Sequence, residues 1–160
     1  MKKVRVLMVC MGNICRSPTA QGVFARQVTH AGLQDWIMVD SAGTHAYHLG
    51  EEPDARSQEA ALRRGVDLSA QRARQVSDVD LVTFDYVLAM DSGNYTDLIH
   101  RCDPDNRYRI RRFLEFAEGL TETDVPDPYY GGARGFEQVL DLVEQASQGL
   151  LAAIRREHDV

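Results

Sequence analysis

Residues 3–10, KVRVLMVC, first alternate and then run apolar with β-branched side chains. That is the pattern of a strand buried on both faces, and only a sheet covered on both sides accommodates it. The run stops at Met11-Gly12-Asn13. From Ser17 the period changes: a hydroxyl suited to capping, Pro18 at an early helical position, then Ala20, Val23, Phe24 and Val28 at i, i+3, i+4 and i+8. A two-sided strand, a tight loop and an amphipathic helix in direct succession form the first half of a βαβ unit.

The rest of the chain repeats the theme. WIMVDSAG (36–43) predicts a second strand, and Pro53 followed by Ala60, Ala61, Leu62 and Val66 predicts a second helix after a long excursion. DYVLAM (85–90) predicts a third strand with a helix over 92–101, and RYRIRRFLEF (107–116) contains a fourth strand in its later half. From Arg134 onward, Phe136, Val139, Leu140, Val143, Ala146, Leu150 and Ile154 make a helical stripe long enough to cover one sheet face. The expected fold is α/β: a doubly wound, four-stranded parallel sheet with helices on both faces, in one domain over residues 1–160. Such sheets bind ligands at the carboxyl ends of their strands, where Cys10 falls. The connection EGLTETDVPDPYYGGARG (118–135) is long and turn-rich, of the kind that carries function.

Composition narrows the function classes. A net charge of −6 gives no global support to nucleic-acid binding by phosphate neutralisation. The basic start MKKVR precedes an apolar run too short for a signal peptide, and no stretch reaches membrane length, so a cytoplasmic protein without membrane insertion is expected. Three cysteines, Cys10, Cys15 and Cys102, make neither a disulfide framework nor a zinc spacing. His30, His45, His48, His100 and His158 are scattered, without metal-ligand spacing, and most read as solvated surface residues, with RYRIRR (107–112) as a charged edge or strand entry.

The loop after the first strand carries the chemistry. Between a strand end and a helix N-terminus, successive backbone N–H groups turn inward and, with the helix dipole, form a cradle for a dianion: here Met11, Gly12, Asn13, Ile14, Cys15, Arg16 and Ser17. Gly12 permits unusual backbone angles, and Asn13 is the non-glycine residue that best tolerates a left-handed one. A thiol at the base of a positive cradle is stabilised as thiolate, which makes Cys10 a nucleophile. Arg16 offers a planar fork matched to two phosphoryl oxygens, and Ser17 a hydrogen bond to the sulfur. The set points to phosphoryl transfer through a phosphocysteine.

VCMGNICRSPTA (9–20) resembles the C-x-G-N-x-C-R-S signature of the low-molecular-weight protein tyrosine phosphatases, and DPYY (127–130) resembles that family's second signature. DSAGT (40–44) and FDYVLAMD (84–91) are also similar to family segments, so the likeness spans nearly the whole chain. The resemblance implies that Cys10 is the nucleophile, that Arg16 binds the phosphoryl group, and that Asp127 is the general acid and then base. Asn13 and Ser17 hold the loop, Ser41 and Asp91 buttress it, and Pro128 fixes the Asp127 backbone. It implies an aromatic wall of Tyr47, Tyr129 and Tyr130 deep enough for phosphotyrosine, no cofactor and no metal. Tyrosine-phosphorylated proteins are the implied substrates, a tyrosine kinase an implied partner, and phosphate and vanadate implied inhibitors.

Ile14, where relatives similar to protein-arginine phosphatases carry threonine, also favours phosphotyrosine. Ala70 stands where some animal members have a histidine, so that residue's share of the loop network is absent or supplied elsewhere. Cys15 is either a redox partner that forms a disulfide with oxidised Cys10 or a thiol that packs. Tyr129 and Tyr130 are candidates for regulatory phosphorylation. Two rival readings share the cradle: a thioredoxin-coupled arsenate reductase, for which Cys102 is the sole further cysteine, and a phosphate-binding or redox-sensing module without turnover.

Overall fold

The computed structural model describes residues 3–128 and 132–160. Strand β1 (Val4–Cys10) lies between β2 (Ile37–Gly43) and β3 (Tyr86–Ala89), and β4 (Ile110–Arg112) completes a four-stranded sheet in the order β2-β1-β3-β4. Every pairing is parallel; Cys10 is level with Gly43, and Ala89 with both Val9 and Arg112. The helices are α1 (Arg16–His30), α2 (Ala55–Arg63), α3 (Asp80–Thr83), α4 (Ser92–Arg101) and α5 (Gly132–His158). None of the described helices is long and apolar enough to cross a membrane.

The two-residue period of β1 divides the core. Val4, Val6, Met8 and Cys10 face one side with Phe24 of α1 and Leu140, Val143, Leu150 and Ile154 of α5; Leu7 and Val9 face the other with Leu81, Phe84 and Leu98. Val6, Leu7, Met8 and Val9 are wholly buried, as the apolar run requires. All seven residues of the α5 stripe are buried too.

Three local expectations are corrected. Ser17 does not cap α1: Cys15 occupies that position without a side-chain hydrogen bond, and Ser17 is turned inward to a site contact. Helix α2 is capped instead by Asp54, whose carboxylate accepts from the amides of Arg56 and Ser57, and it ends before Val66; Leu62 faces solvent. The fourth strand lies at the middle of 107–116 rather than in its later half: it is confined to three residues, Ile110–Arg112, because Pro104–Arg109 and Phe113–Phe116 on either side wind into 3₁₀ turns.

The interior of α5 carries Gly149 against the Phe116 carbonyl; a β-carbon there would lie 1.7 Å from that oxygen. Alanine normally improves a helix interior by roughly 1 kcal/mol over glycine, while forcing an atom into packed surroundings costs about 1–3 kcal/mol. The clash is with backbone, which yields least. Gly149→Ala therefore lowers Tm by several degrees, at about 2–4 °C per kcal/mol for a chain of this size. Thermal unfolding followed by circular dichroism checks this, and a raised Tm would contradict it.

Candidate active site

The chain leaves β1 at Cys10 and enters α1 at Arg16, so the five intervening residues must reverse within one turn of helix. Carbonyls around the loop are engaged from outside it: Cys10 O accepts from Thr44 N (2.9 Å), Met11 O from His45 N (3.0 Å) and Ile14 O from Asp54 N (2.7 Å), while Cys15 O accepts the first bond of α1 from Thr19 N (3.2 Å). Among the described residues, no backbone carbonyl accepts from the amides of Gly12, Asn13, Ile14, Cys15, Arg16 or Ser17. With carbonyls turned out, these amides and the first turn of α1 make the concave, positive nest that binds anions.

Asn13, not Gly12, supplies the left-handed backbone, at φ 58°. Gly12 serves close approach: a β-carbon there would lie 3.0 Å from Cδ2 of His48. Gly43, at the end of β2, likewise brings backbone against the loop, 2.7 Å from Met11 O to an added β-carbon.

Hydrogen-bond chemistry orients the Asn13 side chain. Its Oδ1 accepts from the Arg74 backbone N–H (3.0 Å), a donor that cannot reverse. Nδ2 therefore faces Ser17 Oγ (2.8 Å) and Ser41 Oγ (3.0 Å) and donates to both. Ser41 passes its own proton to Gln21 Oε1 (2.6 Å). Ser17 Oγ, with one of its lone pairs taken by Asn13, lies 3.0 Å from Cys10 Sγ, and when that sulfur is thiolate the hydroxyl is the donor. A donor aimed at sulfur favours thiolate over thiol.

Arg16 is buried, and its Nη1 donates to Asp91 Oδ2 (2.6 Å) and to Val125 O (3.1 Å). No described acceptor is bonded by Nε or Nη2, which leaves one edge of the fork for an anion. Burial works against the guanidinium charge, but Cys10, Asp91 and Asp127 more than offset it and raise the Arg16 pKa. Asp91 Oδ1 also caps α4 through Asn94 N (2.7 Å).

The loop bearing Asp127 is moored to the same frame: Val125 N donates to Met90 O (2.7 Å), and Asp124 accepts from both the amide (3.0 Å) and the hydroxyl (2.9 Å) of Ser92. The result is a cleft of about 250 Å³ lined by Cys10, Gly12, Ile14, Arg16, Tyr47 and Asp127, with Met11, Cys15 and His48.

Tyr47 is at the mouth, 70% exposed and stacked on His45 with ring centroids 5.1 Å apart and planes within 7°. Tyr129 and Tyr130 lie outside the described residues. His48, read from sequence as a solvated histidine, lines the cleft, with Nδ1 2.5 Å from Glu51 Oε2. It and Arg74 are the site residues sequence reasoning missed; the position of His48 next to Tyr47 was the available signal for the first. Ala70 is exposed, and the partners of the Asn13 amide come from Ser17, Ser41 and Arg74. Cys102 packs on the sheet face opposite Cys10 and Cys15.

Burial pushes the Cys15 thiol up to about 12, with Asp54, Cys10 and Asp127 acting in the same direction and a Ser57 hydrogen bond opposing them. An unfolded cysteine ionises near 9, so the folded state holds this proton more tightly. The associated stability is fully present below about pH 9 and is lost as pH rises toward 12. In urea titrations, Cys15→Ala should lose less stability than the wild type across that window. Equal losses would contradict the assignment.

A sequence profile described as low molecular weight phosphotyrosine protein phosphatase matches residues 5–160. The chain is 42% identical to the low molecular weight protein-tyrosine-phosphatase YfkJ of Bacillus subtilis over 96% of its length and 97% of that protein. The crystal structure of YfkJ superposes with a TM-score of 0.93, at 41% identity and 98% coverage of both chains. A protein tyrosine phosphatase from Entamoeba histolytica, crystallised with Hepes in the active site, also gives a TM-score of 0.93, at 37% identity over 99% of this chain and 100% of that one. The human low molecular weight phosphotyrosine protein phosphatase is 39% identical over 84% of this chain and 85% of its own. Shared sequence over nearly the full length and a common parallel-sheet frame lead to one conclusion: the chain belongs to the low-molecular-weight phosphotyrosine protein phosphatase family.

Proposed function

We propose that the protein hydrolyses phosphotyrosine in proteins through a phosphocysteine intermediate. The observation that carries the reading is the meeting, in one cleft, of a buried thiol hydrogen-bonded to a hydroxyl, a nest of amides, an arginine and a carboxylate. The phosphoryl oxygens are held by the amides of residues 11–17 and by the Nε/Nη2 edge of Arg16. Cys10 attacks phosphorus as thiolate; the S–P bond forms as the bond to the phenolic oxygen breaks, and Asp127 gives that oxygen its proton. Asp127, now carboxylate, takes a proton from water as the water attacks phosphorus. The S–P bond then breaks, inorganic phosphate leaves and the thiolate returns, helped by the Ser17 hydroxyl.

A dianion gains from amides and a guanidinium that need no reorganisation, the kind of term that dominates such catalysis. Depth selects the aryl ester: Tyr47 and Ile14 flank the cleft, and Tyr129 and Tyr130 follow Asp127 and Pro128 in the chain. Phosphate and vanadate compete for the same nest. Cys15 serves as the resolving thiol: a peroxide oxidises the Cys10 thiolate to sulfenic acid, and Cys15 attacks that sulfur with loss of water. Burial favours the Cys15 thiol, so this closure requires that thiol to give up its proton. The placement of Cys102 across the sheet from Cys10 disfavours the reductase relay.

Hydrolysis of para-nitrophenyl phosphate tests the reading. Cys10→Ser should fall to background, and Arg16→Lys should lose turnover and vanadate inhibition together. Asp127→Asn should lose about 10²–10⁴-fold on phosphotyrosine peptide and less on nitrophenyl phosphate, whose leaving group needs little protonation. Retained turnover in Cys10→Ser would overturn the mechanism, and equal rates on phosphoserine and phosphotyrosine peptides would overturn the specificity.

A further inference from the structure

Arg74 lies outside both family-like signatures and contacts the catalytic loop through its backbone alone, yet its side chain makes four hydrogen bonds to two carboxylates. Residues 73–76 form a strap along the end of β2: Gly43 N donates to Arg74 O (2.8 Å), and Val76 N to Gly43 O (2.8 Å). On its other side the strap holds the rim loop, through Gly50 N to Ala73 O (2.8 Å) and Ala73 N to Glu51 O (2.9 Å). Glu51 in turn holds His48.

The Arg74 guanidinium fastens this strap at two points. Nη1 donates to Asp80 Oδ2 (2.8 Å) and Nη2 to Asp80 Oδ1 (3.3 Å), a fork-on-fork pair with the buried start of α3. Nε (3.3 Å) and Nη2 (3.0 Å) also donate to Asp40 Oδ2 on β2. Asp80 Oδ2 further accepts from Ser77 N (2.8 Å), closing the strap's far end. With Arg74 so placed, its amide meets Asn13 Oδ1 and fixes which end of that carboxamide faces Ser17.

We infer that Arg74 is a positioning residue for the nucleophile, with the Asp40–Arg74–Asp80 brace setting the direction of the Ser17 hydroxyl toward Cys10 through the Asn13 amide. If the strap drifts, Asn13 Oδ1 loses its fixed donor and the carboxamide is free to turn its oxygen to Ser17. The hydroxyl would then donate to Asn13 instead of to sulfur, and the thiolate would lose its donor. The chemistry is a relay of orientation, and no proton leaves Arg74. The inference rests on Cys10 acting as the nucleophile.

The test is the pH dependence of Cys10 alkylation by iodoacetamide, with the modified residue identified by mass spectrometry, in wild type, Arg74→Met, Arg74→Lys and Asp40→Asn. Arg74→Met should move the midpoint to higher pH and slow alkylation about tenfold below it, equivalent to one pH unit. Arg74→Lys, which reaches one carboxylate, should recover part of the shift. Asp40→Asn removes the charge of the half-exposed arm, keeps an amide oxygen for Ser41 N (2.8 Å) and should shift in the same direction by less, which decides the matter if Arg74→Met fails to fold. Folded variants with the wild-type midpoint, even with lowered Tm, would overturn the inference and leave Arg74 a stability residue. Wild type that alkylates at Cys10 but turns over no aryl phosphate would overturn the phosphatase reading while leaving the midpoints to judge the brace.

Discussion

Asn13 holds a left-handed backbone inside the protein, 2% exposed, and all the hydrogen-bonding atoms of its carboxamide are engaged. A left-handed conformation is unfavourable for any residue with a β-carbon, so it persists only where surrounding contacts over-determine it. Here three contacts do so, one each from α1, β2 and the strap beyond α2. The reversal at Asn13 lets the chain pass from strand to helix with carbonyls outward and amides inward. The same carboxamide holds Ser17 Oγ, which lies within hydrogen-bond reach of Cys10. The nest of amides and, on the proposed function, the readiness of Cys10 are thus two consequences of one constrained residue.

A second network joins the nest to the acid. Arg16 reaches out of α1 to Asp91, which caps α4, and to Val125, whose own amide is bonded to the end of β3. Asp124, beside Val125, is held by the start of α4. Arg16 and the loop bearing Asp127 therefore share one mooring at the carboxyl end of β3. Parallel topology makes this possible, because it brings the ends of β1, β2 and β3 to one edge of the sheet.

Much of this was legible in the sequence because it is local or periodic. The two-sided run of β1, the stripes of α1 and α5, and the tolerance of Asn13 for positive φ all follow from side-chain type and spacing. Ser17 was misread as a cap because a hydroxyl before proline looks the same whether it faces the helix end or a sulfur. Gly12 was misread for a related reason: conformational freedom and close approach both call for glycine, and only the nearby His48 ring tells them apart. The shortness of β4 is tertiary, since flanking 3₁₀ turns consume a run whose composition suits a strand. Arg74 was invisible because its partners are Asp40, Asp80 and Asn13, and the partner it serves in the loop is 61 positions away in sequence.

The central claim, that the Asn13 carboxamide and not only its backbone angle prepares Cys10, is tested most directly by kcat of Asn13→Gly on an aryl phosphate. Glycine keeps the left-handed angle available and removes the amide. Losing a hydrogen bond aligned on a charged sulfur costs about 1.5–3 kcal/mol, so kcat should fall roughly 10–150-fold in a protein that still folds. Wild-type kcat in Asn13→Gly would contradict the account and reduce Asn13 to a turn former.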